Sequence, residues 1–149
     1  MWLAAAAMGA ATATGSEPPG AISGRVVTPG GTTVAVTVVA RALDGPSQFR
    51  LDLDEGQSSY RIEVPAGRYL VFAVPRDPAD ARRGAYTSFS LCQRIIRQGG
   101  RTIRPCTTSP PVTVQVAPGT QRRDIDVDDW HLTPEVVATL QLAPTASGR

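Results

Sequence analysis

Between Gly20 and Trp130 the apolar residues recur at nearly every second position, and turn formers interrupt them at short intervals. A period of two places alternate side chains on opposite faces of an extended strand, one face dry and the other wet. The cleanest cases are Tyr60, Ile62 and Val64, then Val112, Val114 and Val116, then Ile125 and Val127. Their neighbours Arg61, Glu63, Thr113, Gln115, Asp124, Asp126 and Asp128 are polar. Strands are expected over 21–27, 33–41, 48–54, 59–64, 68–74, 111–116 and 121–128. Leu70 to Val74 is apolar on both parities, so 68–74 is expected to be a central strand. Pro29-Gly30-Gly31, Asp54-Glu55-Gly56, Pro65-Ala66-Gly67 and Pro118-Gly119 supply turns. Seven short strands with tight turns argue for an all-β antiparallel sandwich of two sheets. No sustained 3.6 period and no internal repeat competes with this reading.

The chain has 149 residues, 42% apolar and 19% charged, which suits one globular domain. Three parts are expected. Residues 1–19 form a signal-peptide-like apolar arm and linker, 20–131 the sandwich with an insertion at 75–110, and 132–149 a short helix and disordered tail. The run at 2–11 is too short to span a bilayer, which needs about 20 residues. Its length suits the apolar core of a secretory signal, and Ala11-Thr12-Ala13 fits a small-x-small cleavage site, but no basic residue precedes it. The alternative is a disordered or helical Ala-rich arm. At the other end Thr133 suits an N-cap, Pro134 the first helical position and Glu135 the first turn. Val136, Val137, Leu140 and Leu142 would share one stripe of a helix that either docks or frays.

A family resemblance rests on two segments. Ile22-Ser23-Gly24-Arg25-Val26 resembles the first strand of carboxypeptidase regulatory-like domains. Tyr60 to Val71, reading Y-R-I-E-V-P-A-G-R-Y-L-V after the Asp54-Glu55-Gly56 turn, resembles their hairpin. The likeness covers about residues 20–128. It implies a seven-stranded Greek-key sandwich of prealbumin-like (transthyretin-like) type and an accessory role on exported bacterial proteins. It implies no catalytic residues. The insertion at 75–110 departs from the family pattern, so a role specific to this chain is expected there.

That insertion holds both cysteines, Cys92 and Cys106. An even count in an exported chain favours a disulfide, and two buried thiols are the alternative. The sequence between them is nearly symmetric about Gly99. A hairpin with a Gln98-Gly99-Gly100 loop would set Cys92 opposite Cys106 and put Gly100 in the left-handed region. Arg94, Arg97, Arg101 and Arg104 lie in the same loop without an acid. They suggest an anion-binding tip. The hairpin would split them between two faces, which favours a solvated loop instead.

Asp124, Asp126 and Asp128 would line one strand face, a weak Ca²⁺ candidate, since Ca²⁺ wants six to eight converging oxygens. The alternative is a charged edge strand compensated by Arg122, Arg123 or Arg61. Trp130 is expected to cap the core with its indole N–H on a backbone carbonyl, the alternative being a ligand platform with Tyr86. His131 is expected at the surface.

The chain has no Lys, no Asn and one His. A phosphate-binding loop with its Lys is therefore excluded, one His argues against a structural Zn²⁺ site of four ligands, and no G-x-S-x-G nucleophile elbow occurs. No enzyme activity, metal or cofactor is expected. A net charge of +2, with no aromatic between the arginines, argues against nucleic acid. Two function classes remain. One is an exported structural or protein-interaction module, in periplasm or extracellular space, accessory to a larger assembly. The other is a small-ligand or glycan-binding module using residues 85–110 and Trp130. With 5% aromatic residues, most needed in the core, the first is favoured. The sequence specifies neither the partner nor an oligomeric state.

Overall fold

The structure, a computed structural model, describes residues 17–31, 33–102, 105–106 and 110–140. The apolar arm, Arg104 and the tail beyond Leu140 lie outside the described residues.

Five strands follow the expected alternation: β1 (Gly20–Arg25), β2 (Val36–Ala42), β3 (Gln48–Leu53), β4 (Ser59–Val64) and β5 (Gly67–Pro75). In β4 the pattern is strict, with Tyr60, Ile62 and Val64 buried and Ser59, Arg61 and Glu63 exposed. β6 (Gly84–Ala85), helix α1 (Ser88–Arg97), β7 (Val114–Val116), β8 (Gln121–Arg122) and helix α2 (Pro134–Leu140) follow. One sheet has the order β4-β1-β8. The other has the order β3-β2-β5-β6, with β7 also on β5.

The two inner faces meet in one core. Ile22, Ile62 and Val64 come from the first sheet, and Val36, Val38, Val71 and Ala73 from the second. Ile125 and Val127 add to it from the segment after β8. The outer face of the second sheet carries Val39, Leu70 and Phe72, which pack against Val136 and Leu140 of α2. β5 is thus buried on both faces, which explains its double-parity apolar run. Arg41 reaches from β2 to the end of α2, where its Nη2 donates to the Thr139 carbonyl at 2.9 Å. Thr133 caps the start, accepting from the Val136 amide at 3.3 Å.

Three expectations need correction. Among the described residues eight strands are present rather than seven, because the insertion contributes β6. The β1–β8 pair is parallel. And the strand expected over 121–128 is interrupted: it pairs with β1 at Gln121 and Arg122, and again only from Ile125 to Val127. Between these stretches Asp124 has φ 62, a left-handed conformation that Asp tolerates better than most residues. The chain then touches β1 through Val26 and Val127, and β6 through Ala85 and Asp129. Past this kink the chain runs on beside β1 in the same parallel sense, the Ile125 amide donating to the Ser23 carbonyl at 3.0 Å and the Val127 amide to the Arg25 carbonyl at 2.8 Å, and it crosses to the other sheet only at Asp129.

Trp130 closes that crossing as the sequence suggests. Its Nε1–H donates to the Val27 carbonyl at 2.6 Å, and its ring lies over Gly84. Gly24 is required by an equally close approach, because a Cβ there would fall on the Ile125 backbone. Backbone cannot move aside as a flexible side chain can. Gly24→Ala is expected to cost about 2–4 kcal/mol in urea unfolding, as an overpacked core does. Gly45→Ala, which faces open space, is expected to change stability by less than about 0.5 kcal/mol.

Candidate functional site

The segment between the cysteines is a helix, not the expected hairpin, and its local chemistry explains why. Thr87 has extended φ/ψ at the N-cap. Its Oγ1 accepts from the Phe89 amide at 3.1 Å, and its own amide donates to Ser90 Oγ at 3.1 Å. This is a reciprocal cap of the first turn. At the other end Gly99, with φ 85, stops the helix. Its amide donates to the Ile96 carbonyl at 3.0 Å, and the Gly100 amide to the Ile95 carbonyl at 2.9 Å. Those two bonds form the Schellman pattern, for which a glycine is favoured. Gly99, not Gly100, takes the left-handed conformation.

Thr87 is fully buried and anchored from below. Its hydroxyl donates to Asp129 Oδ2 at 2.8 Å. The other oxygen of the fully buried Asp129 carboxylate accepts from the His131 amide at 3.1 Å. The start of α1 is thus tied to the crossing segment by a buried polar link.

The rest of α1 lies on the acid row. At 100° per residue, Ser90, Arg94 and Arg97 share one side of the helix, while Leu91, Cys92, Ile95 and Ile96 share the other. The polar side faces the protein. Arg94 Nη2 sits 3.1 Å from Asp124 Oδ2. The Arg97 guanidinium spans two carboxylates, Nη2 at 3.2 Å from Asp126 and Nη1 at 3.4 Å from Asp128. The Asp128 side chain is only 6% exposed, and burial pushes its carboxyl above the ordinary range. The Ser90 hydroxyl and Arg97 oppose that shift, and the neighbouring Asp126 adds to it.

The apolar side faces water. Four large hydrophobic residues are exposed among the described residues, and three of them, Leu91, Ile95 and Ile96, are on this helix. Ser90 is its one buried residue. A disulfide between Cys92 and Cys106, with Cα atoms 5.7 Å apart, ties the helix to the returning chain. Closing a loop of this size removes unfolded-state entropy worth about 3 kcal/mol.

The expected site residues therefore divide. Cys92 and Cys106 are joined. Arg94 and Arg97 are paired with the carboxylates for which Arg122, Arg123 or Arg61 were the expected partners. Arg122 instead donates to the Gln115 carbonyl, and Arg61 pairs with Glu63. Arg101 is exposed and has no carboxylate partner among the described residues. Asp124, Asp126 and Asp128 are drawn toward guanidinium groups, and no metal-binding cluster of three ligands occurs among the described residues. Tyr86 and Trp130 are 4% and 8% exposed, so both rings lie in the core and neither forms a platform at the surface. The sequence reading missed Thr87, Ser90 and Asp129, and the exposed Leu91, Ile95 and Ile96. The cap spacing Thr87-x-x-Ser90 and the Gly99-Gly100 stop were the available signals.

Compared with known proteins, the chain matches no family model, no curated protein and no solved structure.

Thr87→Val removes the cap and one of the donors to the buried Asp129 carboxylate. It is expected to cost about 2–3 kcal/mol in urea unfolding. Asp128 gives a pH signature. Its folded carboxyl holds a proton more tightly than the unfolded chain does, so its contribution to stability falls as pH rises through the folded value. Above that value the ionised group is a standing cost, while Arg97 keeps Asp126 as a partner. Asp128→Asn is expected to melt higher than the parent chain at about pH 7, with the gap closing towards about pH 3.

Proposed function

We propose that this chain is a non-catalytic exported docking module, accessory to a larger envelope or extracellular assembly, and that α1 is its contact element. The observation that carries the reading is the orientation of the helix. A surface helix normally buries its apolar stripe and wets its polar face. Here the polar stripe is used for attachment, and Leu91, Ile95 and Ile96 are left in water at 38%, 46% and 47% exposure. Clustered apolar exposure of this kind marks a contact surface.

Other parts of the reading have separate support. An exported location fits the signal-like run at 2–11 and the closed disulfide, which is favoured in oxidising compartments. No helix among the described residues is long and apolar enough to cross a membrane. A non-catalytic role fits a chain with one His and no Lys. Membership of the prealbumin-like carboxypeptidase regulatory family is supported by the Tyr60–Val71 pattern, which falls on the β4–β5 hairpin. In that reading β6 and α1 are additions to a seven-stranded frame. The glycan-binding alternative has no exposed Tyr86 or Trp130 to support it.

The test is a photo-crosslinking residue placed at Ile95 or, as a control, at Glu63 on the exposed side of β4. In the native compartment the Ile95 position is expected to give adducts, to lipid or to protein, and Glu63 none. Equal labelling from both positions, or none from Ile95, would refute α1 as the contact element.

A further inference from the structure

The surface that α1 presents also indicates what it touches. This step rests on the reading of α1 as the contact element.

Three features define the surface. The first is its shape. Leu91, Ile95 and Ile96 stand on the outer side of a helix of ten residues, and the clefts beside Leu70, Phe49 and Val34 lie elsewhere. A ridge does not enclose a small molecule, so the complement must be a soft surface or a groove. The second is its charge. From Arg82 to Arg123 the sequence carries eight Arg and no Asp or Glu. Asp124, Asp126 and Asp128 hold Arg94 and Arg97 on the inner side of the helix, and Arg101 stays exposed just beyond its end. Of the described arginines on or just after α1, only Arg101 is without a carboxylate, so the apolar ridge ends in one free cation. The third is its size. A stable protein interface takes about 800 Å² from each partner, far more than three side chains present. A small apolar ridge with a free Arg at its end does suit a lipid interface, where weak, reversible attachment needs only an apolar face and a cation.

We infer that α1 lies on the surface of an anionic lipid bilayer, with Leu91, Ile95 and Ile96 at the acyl boundary and Arg101 among the headgroup phosphates. The caps, the disulfide and the carboxylate row hold the helix formed before contact. An isolated segment of ten residues would be largely unfolded in water and would have to order on binding. Here that cost has already been met by the fold.

The experiment is vesicle sedimentation with the full chain and its disulfide intact. Vesicles of phosphatidylcholine with phosphatidylglycerol are compared with pure phosphatidylcholine. Binding is expected to the anionic vesicles, to be about tenfold weaker or more on neutral ones, and to weaken at ~0.5 M salt. The double substitution Ile95→Ser and Ile96→Ser should lower the affinity about tenfold or more with only a small loss of melting temperature, since about half of each side chain is already in water. Arg101→Ser should abolish most of the preference for anionic vesicles. Failure of the parent chain to bind anionic vesicles would overturn the inference. So would binding that ignores the Ile substitutions, because the apolar run at 2–11 or bulk charge would then account for it. Discrete protein adducts from Ile95 without vesicle binding would leave α1 as the contact element and replace lipid by a protein groove.

Discussion

The burial of β5 on both faces is the constraint from which the remaining architecture follows. A strand apolar on both parities cannot end at a wet surface without exposing Leu70 and Phe72 or Val71 and Ala73. One face is covered by the three-stranded sheet, the other by α2. Burying a side chain of this size contributes about 1.5–3 kcal/mol, so leaving either row exposed would consume much of a domain's net stability. A helix of seven residues such as α2 could not persist alone. It exists because Val136 and Leu140 complete that second face. β5 also sets where the insertion departs, because β6 pairs with Phe72 and Ala73 and leads directly into Tyr86, Thr87 and α1.

Helix α1 obeys the opposite logic. No apolar side chain of the helix is fully buried, so it does not owe its position to the hydrophobic effect. Polar attachment takes its place. The Arg94–Asp124 pair is well exposed on both sides, and exposed pairs contribute at most about 1 kcal/mol. The Arg97 fork onto Asp126 and Asp128 is better sheltered on the carboxylate side, at 16% and 6% exposure. It offsets the desolvation of Asp128 more than it adds stability. The firm points are therefore the buried Thr87–Asp129 link at one end and the disulfide at Cys92. Between them the carboxylates fix which side of the helix faces inward.

Much of the frame was legible because it is written in the period of two. β1 to β5 lie close to their expected positions, the central place of β5 follows from its double parity, and the indole N–H of Trp130 finds a carbonyl. The disulfide was legible from the cysteine count. What was not legible is the secondary structure between the cysteines. Isoleucines and arginines arranged symmetrically about Gly99 satisfy a hairpin as well as a helix when only their order is considered. The apolar arc of α1 also points away from the core, so a search for a stripe that could be buried passes over it. The acid row was misassigned for the same reason. Its partners lie 29 to 31 residues upstream, on a helix that the strand reading did not contain.

The cost of this arrangement explains its form. Three large apolar side chains left 38–47% exposed contribute less to folding than buried ones would, and a helix that exposes them is not retained by the usual inward stripe. If the segment needed only to close the path from β6 to β7, the favoured solution would turn Leu91 and Ile95 inward and leave the arginines outside, as ordinary surface helices do. The sequence instead supplies a cap at the start, a glycine stop at the end, a covalent tether at Cys92 and, on the polar side, a row of carboxylates. These devices stabilise the helix without covering its ridge. A face kept open by that many independent restraints is costly to maintain unless something outside the fold covers it.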